Sequence, residues 1–321
     1  MSQFARAEVC LMRGQSESTK TLIRHARQIL QADHPMTLRQ LHYAIFSRKQ
    51  IDYDNTPADY KRLSRVTTFA RRLHRDWELH QSHHEDSPEY GFSSDWIVDE
   101  TRRAETVNVF RNADDYISAV RWSYRRDNWQ DQPRHVEVWA EKATVLGSIR
   151  PTADEWGITL RVCRGFGSTG MESVVGREFA EIHPKKVTVF FLGDHDPSGV
   201  VIERDIHERA QHAAGVNFEM ILLAIHPEDI GKFNLPPQKI KGSDSRAEAF
   251  RKQYGANAAT VELDALPAAE LRERIKTAVS GLIDRERWQR QVQVQEIEFR
   301  CIQEFADKVR KLSQSEPEAM L

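Results

Sequence analysis

The stretch 187–199, VTVFFLGDHDPSG, constrains the fold more than any other part of the chain. A run as apolar as VTVFFL is a strand buried on both faces, which requires a sheet covered by helices on each side. In such sheets ligands sit beyond the carboxyl ends of the strands, and Asp194 and Asp196 fall there. The helical pattern GVVIERDIHERAQHA follows directly. Two carboxylates at the mouth of a parallel sheet, beside a helix start, make a seat for a hard divalent cation. Asp beside Pro, Ser and Gly is also ordinary turn chemistry, so the neighbouring segments must decide.

From His135 onward strand and helix patterns alternate: HVEVWA, then KATVLGSIR, ITLRVC, MESVVGREFAEI, the stretch above, and FEMILLAI. That alternation predicts an α/β domain with a mainly parallel sheet. Glu141 ends the first strand as Asp194 and Asp196 end a later one, so the three acids can converge at one end of the sheet although they are far apart in sequence. Three carboxylates at one point repel one another unless a cation binds, and an all-oxygen set favours Mg²⁺ or Mn²⁺. Such an ion can neutralise charge developing on a phosphodiester. Lys142 and Arg164 are candidates for holding phosphate. The turn RGFGSTG lacks the Gly-Lys-Ser/Thr of a P-loop and is not a dinucleotide fingerprint. It brings backbone close to a phosphate or simply turns the chain.

The N-terminal third reads as helical. Ser16 or Ser18 caps TLIRHARQIL, and Thr37 caps MTLRQLHYAIFSR, with Leu38, Leu41 and Ile45 on one face and Arg39, Tyr43 and Phe46 on another. A third helix is expected over residues 57–74, with Thr56 as its cap, Pro57 at its first position and Asp59 in its first turn. Lys61, Arg62, Arg65, Arg71, Arg72 and Arg75 fall within fifteen residues that contain no acid. Helix, helix, basic helix and then the extended DWIVDET form a winged-helix pattern with the basic helix as the DNA-contacting element. A merely solvated arginine face is the alternative. The formal net charge of −2 opposes unspecific adhesion to nucleic acid but not a local basic face.

Length sets the domain count. A chain of 321 residues exceeds one small core, and the composition is that of a globular protein. The expected division is residues 1–98 as the winged-helix domain, 99–133 as a connector rich in Arg, Trp and Tyr, and 134–321 as the α/β domain with a C-terminal extension. The connector holds a helix over 114–126, and its Arg125 and Arg126 either touch phosphates or lie on the surface. No run of 18 apolar residues occurs, so no membrane span is expected. The N-terminus lacks a secretory pattern, and the three cysteines, far apart and odd in number, give neither a zinc spacing nor a disulfide framework. A cytoplasmic location is the default expectation.

Together, WAEKATVLG with Glu141, RGFGSTG, and LGDHDPSG with Asp194 and Asp196 resemble the toprim metal-binding fold of topoisomerases, primases and some nucleases. More closely, the chain resembles the A subunit of topoisomerase VI and its meiotic double-strand-break relatives, which join a winged-helix domain to a toprim domain. Their helix motif, Thr-x-Arg-Glu-Leu-Tyr-Tyr, is matched here by TLRQLHY. Arg39 and the nucleophile position Tyr43 agree, while Gln40 and His42 depart from it. VELDALP, at 261–267, resembles a further family segment, so the likeness spans about residues 36–267. The resemblance implies an α/β toprim domain preceded by a helical winged-helix domain. It also implies Mg²⁺ or Mn²⁺ held by Glu141, Asp194 and Asp196, attack by Tyr43 on double-stranded DNA, a homodimer, and a separate ATPase partner subunit. A phenol is a weak nucleophile at neutral pH, and Arg39 one turn away favours its anion or holds the phosphate. Hydrolytic cleavage by the same acids, or a noncatalytic DNA-binding subunit, are the alternatives.

The C-terminal part holds a long helix over 284–312. Its stripe of Trp288, Val292, Phe299, Ile302, Ala306 and Val309 is expected to pack on the α/β domain or on a second protomer.

Overall fold

The computed structural model describes residues 15–80, 87–99, 109–163, 169–182, 184–215, 217–240 and 245–315. Arg164 lies outside them.

Three helices open the chain: α1 (Glu17–Ala32), α2 (Leu38–Arg48) and α3 (Pro57–His80). Ser16 caps α1, accepting from the Thr19 amide. Thr37 and Gln40 form a reciprocal capping box at the start of α2, which fixes where that helix begins. Their apolar stripes meet in a separate core of Leu22, Ile29, Leu41, Ile45, Leu63 and Phe92 among others. A short helix, α4 (Ser87–Tyr90), follows. The segment expected to form the wing makes one parallel β-bridge, Ile97 with Met36, and a 3₁₀ turn at Ser94–Trp96. Among the described residues there is no paired wing hairpin.

The connector helix α5 (Ala113–Ser123) is shorter than its pattern suggests. Tyr124 turns extended, and Arg126 donates from Nη1 to Glu298 at 2.6 Å and from Nε to Gln291 at 2.5 Å. Arg125 donates to the Asp154 carbonyl at 2.7 Å. Both arginines therefore serve intramolecular contacts.

The sheet contains β1 (Arg134–Ala140), β2 (Thr159–Val162), β3 (Lys186–Leu192) and β4 (Glu219–Ala224), all parallel, in the order β2-β1-β3-β4. Every residue of β3 after Lys186 is buried, as its unbroken apolar run requires. The connections are α6 (Leu146–Trp156), α7 (Thr169–Glu181) and α8 (Pro197–Ala214), followed after β4 by α9 (Pro227–Lys232), α10 (Ala247–Tyr254), α11 (Ala268–Ser280) and α12 (Arg285–Ser315). A 3₁₀ turn, Ala143–Val145, leads into α6. From β1 the chain moves outward to β2, then crosses back to β3 and on to β4. Winding direction thus reverses between β1 and β3, the place where open α/β sheets form a crevice.

One face of the sheet packs on Phe179, Ile206, Ala210 and Phe218 of α7, α8 and the start of β4. The other packs on Ile149, Leu271, Ile275 and Val279 of α6 and α11, and this second core takes in Tyr43 from α2. The helical unit and the sheet unit thus share side chains. Arg272 of α11 reinforces the junction, pairing with Asp33 and donating to the carbonyls of Pro35 at 3.1 Å and Ser148 at 2.9 Å. Helix α12 runs against α5, and its Trp288 ring meets those of Trp129 and Trp156. Among the described residues no helix is long and apolar enough to cross a membrane.

Candidate active site

The site forms where β1 and β3 end. The backbone ladder continues past both strands: Glu141 N–H donates to Leu192 O at 2.8 Å, and Gly193 N–H donates to Ala224 O at 2.8 Å. The acids therefore stand on backbone that the sheet still holds. Asp196 is the N-cap of α8, with Oδ1 accepting from the amides of Ser198 at 2.8 Å and Gly199 at 2.6 Å, and Pro197 sits at a position where no amide is needed. A Cβ on Gly199 would lie 2.2 Å from Asp194 O, so only glycine allows this loop to close.

Glu141 and Asp194 come together as the sequence predicts. Glu141 Oε2 accepts from the Asp194 amide at 3.0 Å. Asp194 is buried, its Oδ1 accepts from the Leu263 amide at 2.8 Å, and its Oδ2 pairs with Lys142 Nζ. Burial, and then the neighbouring Asp194 charge, push the Glu141 carboxyl up to about 7. Burial also raises Asp194, although Lys142 opposes it.

Two acids that carry no role in the sequence reading join them. His195 and Val261 exchange both backbone hydrogen bonds at 2.9 Å, which draws the segment after residue 260 across the mouth of β3. This places Glu262 and Asp264 at the site. Asp264 is 1% exposed; its Oδ2 accepts from Thr144 Oγ1 at 3.1 Å, while Oδ1 has no hydrogen-bond partner among the described residues. Burial lifts its carboxyl to about 6. VELDALP carried a signal of resemblance, but the antiparallel bridge that delivers it is invisible in the pattern.

Tyr43 and Arg39 reach the same place within one chain. Arg39 Nη2 pairs with Glu262 Oε2 at 2.6 Å, and the Tyr43 hydroxyl donates to that same oxygen at 3.1 Å. Burial works against the Glu262 anion, but Arg39 and then Lys142 hold its carboxyl low. Tyr43 is only 3% exposed, and burial followed by the Glu262 charge raises its phenol. His42 faces away, its Nδ1 2.5 Å from Tyr53 Oη and its Nε2 2.9 Å from Asn55 Oδ1.

The basic residues of α3 do not act as one set. Lys61, Arg65 and Arg72 are exposed on an outward stripe. Arg62 is turned inward along the helix, donating to Ser18 O at 3.0 Å and lying 3.9 Å from Asp59. Arg71 is half-buried and lines a cleft beside Arg39. Arg75 is exposed on the same side of the helix as Arg71.

A second cleft, of about 240 Å³, is lined by Lys142, Asp194, Asp196, Gln238, Lys239 and Glu262 among others. Among the described residues no three His, Cys, Asp or Glu side chains are arranged as a cation-binding group, and the contacts show why. Lys142 holds Asp194, Asp196 caps α8, and Glu141 is turned onto a backbone amide. The donor chemistry nevertheless fits a hard divalent cation. The acids offer only oxygen, an ammonium group is already drawn among them, and a buried Asp264 oxygen lacks a partner among the described residues. Compared with known proteins, the chain matches no protein-family model, no curated protein and no solved structure.

Proposed function

We propose that this chain is a divalent-metal-dependent DNA-cleaving enzyme working at Glu141, Asp194 and Asp196, similar in its parts to the topoisomerase VI A subunit. The observation that carries this reading is the meeting of these acids, Lys142 and the Arg39–Tyr43–Glu262 cluster at the point where the sheet's winding reverses. A toprim domain and a winged-helix domain are the finer reading of the two packed units. Mg²⁺ or Mn²⁺, held by Glu141, Asp194 and Asp196, would supply charge neutralisation at the phosphate. Lys142 adds positive charge on the same side, and Arg39 is placed to orient a phosphate near the Tyr43 hydroxyl.

Two nucleophiles are compatible with the site. In transesterification the Tyr43 oxygen bonds to phosphorus, the bond from phosphorus to the 3′ oxygen breaks, and the phenol proton ends on the leaving 3′ hydroxyl. In hydrolysis a water oxygen takes the place of the phenol. Burial of Tyr43, with its hydroxyl committed to Glu262, favours water in this conformation, because tyrosine attack requires that contact to open. A homodimer and a separate ATPase subunit are further proposals that rest on the resemblance.

The test is a denaturing gel of supercoiled DNA incubated with Mg²⁺ or Mn²⁺, with and without protease before loading. Asp194→Asn abolishes cleavage if the acids carry it, and unchanged cutting by that variant refutes the site. Cleavage that persists in Tyr43→Phe, leaving free ends, establishes hydrolysis. Protein-linked ends that vanish in Tyr43→Phe establish the tyrosyl route.

A further inference from the structure

A cleft of about 600 Å³ lies between α3, the start of α2 and the Ile97–Asp99 segment, and of its lining only Arg39 enters the reaction proposed above. Arg39, Tyr60, Ser64, Thr68, Arg71 and Thr144 contribute to its wall. Helical spacing explains the arrangement. At 3.6 residues per turn, positions 60, 64, 68 and 71 fall on one narrow stripe of α3, and 61, 65 and 72 fall on the adjoining one. One edge of the polar face therefore lines the cleft, and the outward row Lys61, Arg65 and Arg72 continues from it over the surface.

Arg39, Thr68 and Thr144 spend their donors inside the protein, but three other donors of this cleft do not. Among the described residues no carboxylate pairs with Arg71, whose Nε makes only a long bond to the Thr67 carbonyl at 3.4 Å. Half-burial without a counter-charge pulls its guanidinium below the usual arginine range. Tyr60 rests its ring edge-on against His42 at 5.3 Å, and its hydroxyl makes no hydrogen bond among the described residues. The Ser64 carbonyl accepts from Thr68 Oγ1 at 2.8 Å, while the Ser64 hydroxyl donates to no described group. A half-buried guanidinium with the Ser64 hydroxyl two turns away and the Tyr60 hydroxyl three turns away is a set of donors without a bound acceptor. It matches a tetrahedral anion with several oxygens. Asp99 also lines the cleft, which disfavours a freely diffusing polyanion.

The far end of the cleft gives the direction. Thr144 lines it and donates to Asp264, while Arg39 pairs with Glu262, which lines the cleft that holds Lys142, Asp194 and Asp196. The two clefts are thus separated by the Arg39–Glu262 pair and lie on one path. We infer that Arg71, with Ser64 and Tyr60, forms a phosphate subsite that seats one backbone phosphodiester of the DNA strand on its way to the acid cluster. This rests on the proposed function for the identity of the strand, and the contact itself is one of position, carrying no base information.

The experiment measures binding apart from cleavage. A fluorescently labelled DNA duplex is titrated with the full chain in EDTA, by anisotropy, over a range of salt concentrations. Arg71→Ala is expected to weaken binding about fivefold to tenfold and to lower the slope of log K against log salt by about one. Arg71→Lys restores most of the slope but not the full affinity, because it keeps the charge and loses the fork. Ser64→Asp, which places an anion in the subsite, weakens binding at least as much. Melting curves confirm that each variant is folded. Wild-type affinity and slope in both folded Arg71→Ala and folded Ser64→Asp overturn the subsite and leave the cleavage reading intact. Wild-type protein that binds no duplex in EDTA, yet cleaves with Mg²⁺, also overturns it. Absence of both binding and cleavage removes the DNA reading and the subsite together. Tighter binding to an RNA hairpin of equal charge overturns the assignment to DNA.

Discussion

Glu137 sits in the middle of β1 with 1% of its surface exposed, a position where an isolated carboxylate is untenable. It is held by Arg161 from Nε at 2.6 Å and Nη2 at 2.9 Å, by Trp139 Nε1 at 2.6 Å, and it lies 3.1 Å from His135 Nε2. Burial opposes the anion, but Arg161 and His135 outweigh it and bring the carboxyl down to about 2. The folded value is below the ordinary one. This contribution is therefore complete above about pH 4.5 and is lost as pH falls through 2, with a size on the order of 3 kcal/mol. Urea melts between pH 6 and pH 2 should show that loss, and Glu137→Gln should flatten the acid limb while lowering stability at neutral pH. A Gln variant with the wild-type pH profile would contradict it. HVEVWA reveals the strand but not why it tolerates an acid. The partner Arg161 arrives by the pairing of Trp139 with Arg161 across β1 and β2, and register between distant segments is not written in either one. Asp194 and Asp196 were legible because strand and acids are contiguous. Glu262 and Asp264 were not, because a bridge between distant segments delivers them.

Helices α7 and α8 cross where Gly176 meets the end of α8. A Cβ at Gly176 would lie 2.5 Å from Ala213 O and 2.8 Å from its carbonyl carbon, so the backbones touch and neither can yield without moving a helix. Gly176→Ala is expected to destabilise the fold by about 1–3 kcal/mol. Gly231→Ala, in α9 with nothing within 4 Å of its added carbon, should change stability by less than about 1 kcal/mol. Thermal melts of the pair decide this, and equal effects would refute the close crossing. Most helices were legible from caps and spacing, as Thr37 and the stripe of α2 show. Helix α11 is less legible, although Leu271, Ile275 and Val279 recur on one face. Its short apolar stripe says helix, but not that it closes the sheet's main core.

At the scale of the molecule, the helical unit and the sheet unit are joined by buried polar bonds rather than by a bare linker. Gln40 Nε2 donates to Ser148 Oγ at 3.1 Å, and Arg272 ties Asp33 and Pro35 of the first unit to Ser148 of the second. Removing a charged group from such a junction leaves its partners unpaired. Arg272→Ala should therefore cost on the order of 2–4 kcal/mol and loosen the seat of Tyr43. Near- and far-ultraviolet circular dichroism should melt together in the wild type, and Arg272→Ala should melt several degrees lower, with tyrosine signals changing first. A melting point unaffected by the substitution would show that the junction is not held there. The division into consecutive domains at about residues 98 and 134 describes the order of elements along the chain, but neither unit's packing surface is complete by itself.

The two-way exchange between His195 and Val261 also bears on how this protein can be shortened or recombined. The backbone beyond residue 260 supplies Val261, Leu263, Leu266, Leu271, Ile275 and Val279 to the sheet's principal core, besides both late acids of the site. A product terminated after α10 would retain all four strands yet lack one wall of their packing. A shuffled gene that exchanged the strand-and-helix region alone would inherit half a cleft. The smallest transferable unit is therefore a pair of segments far apart in the gene, and a grafted copy works only if both travel together.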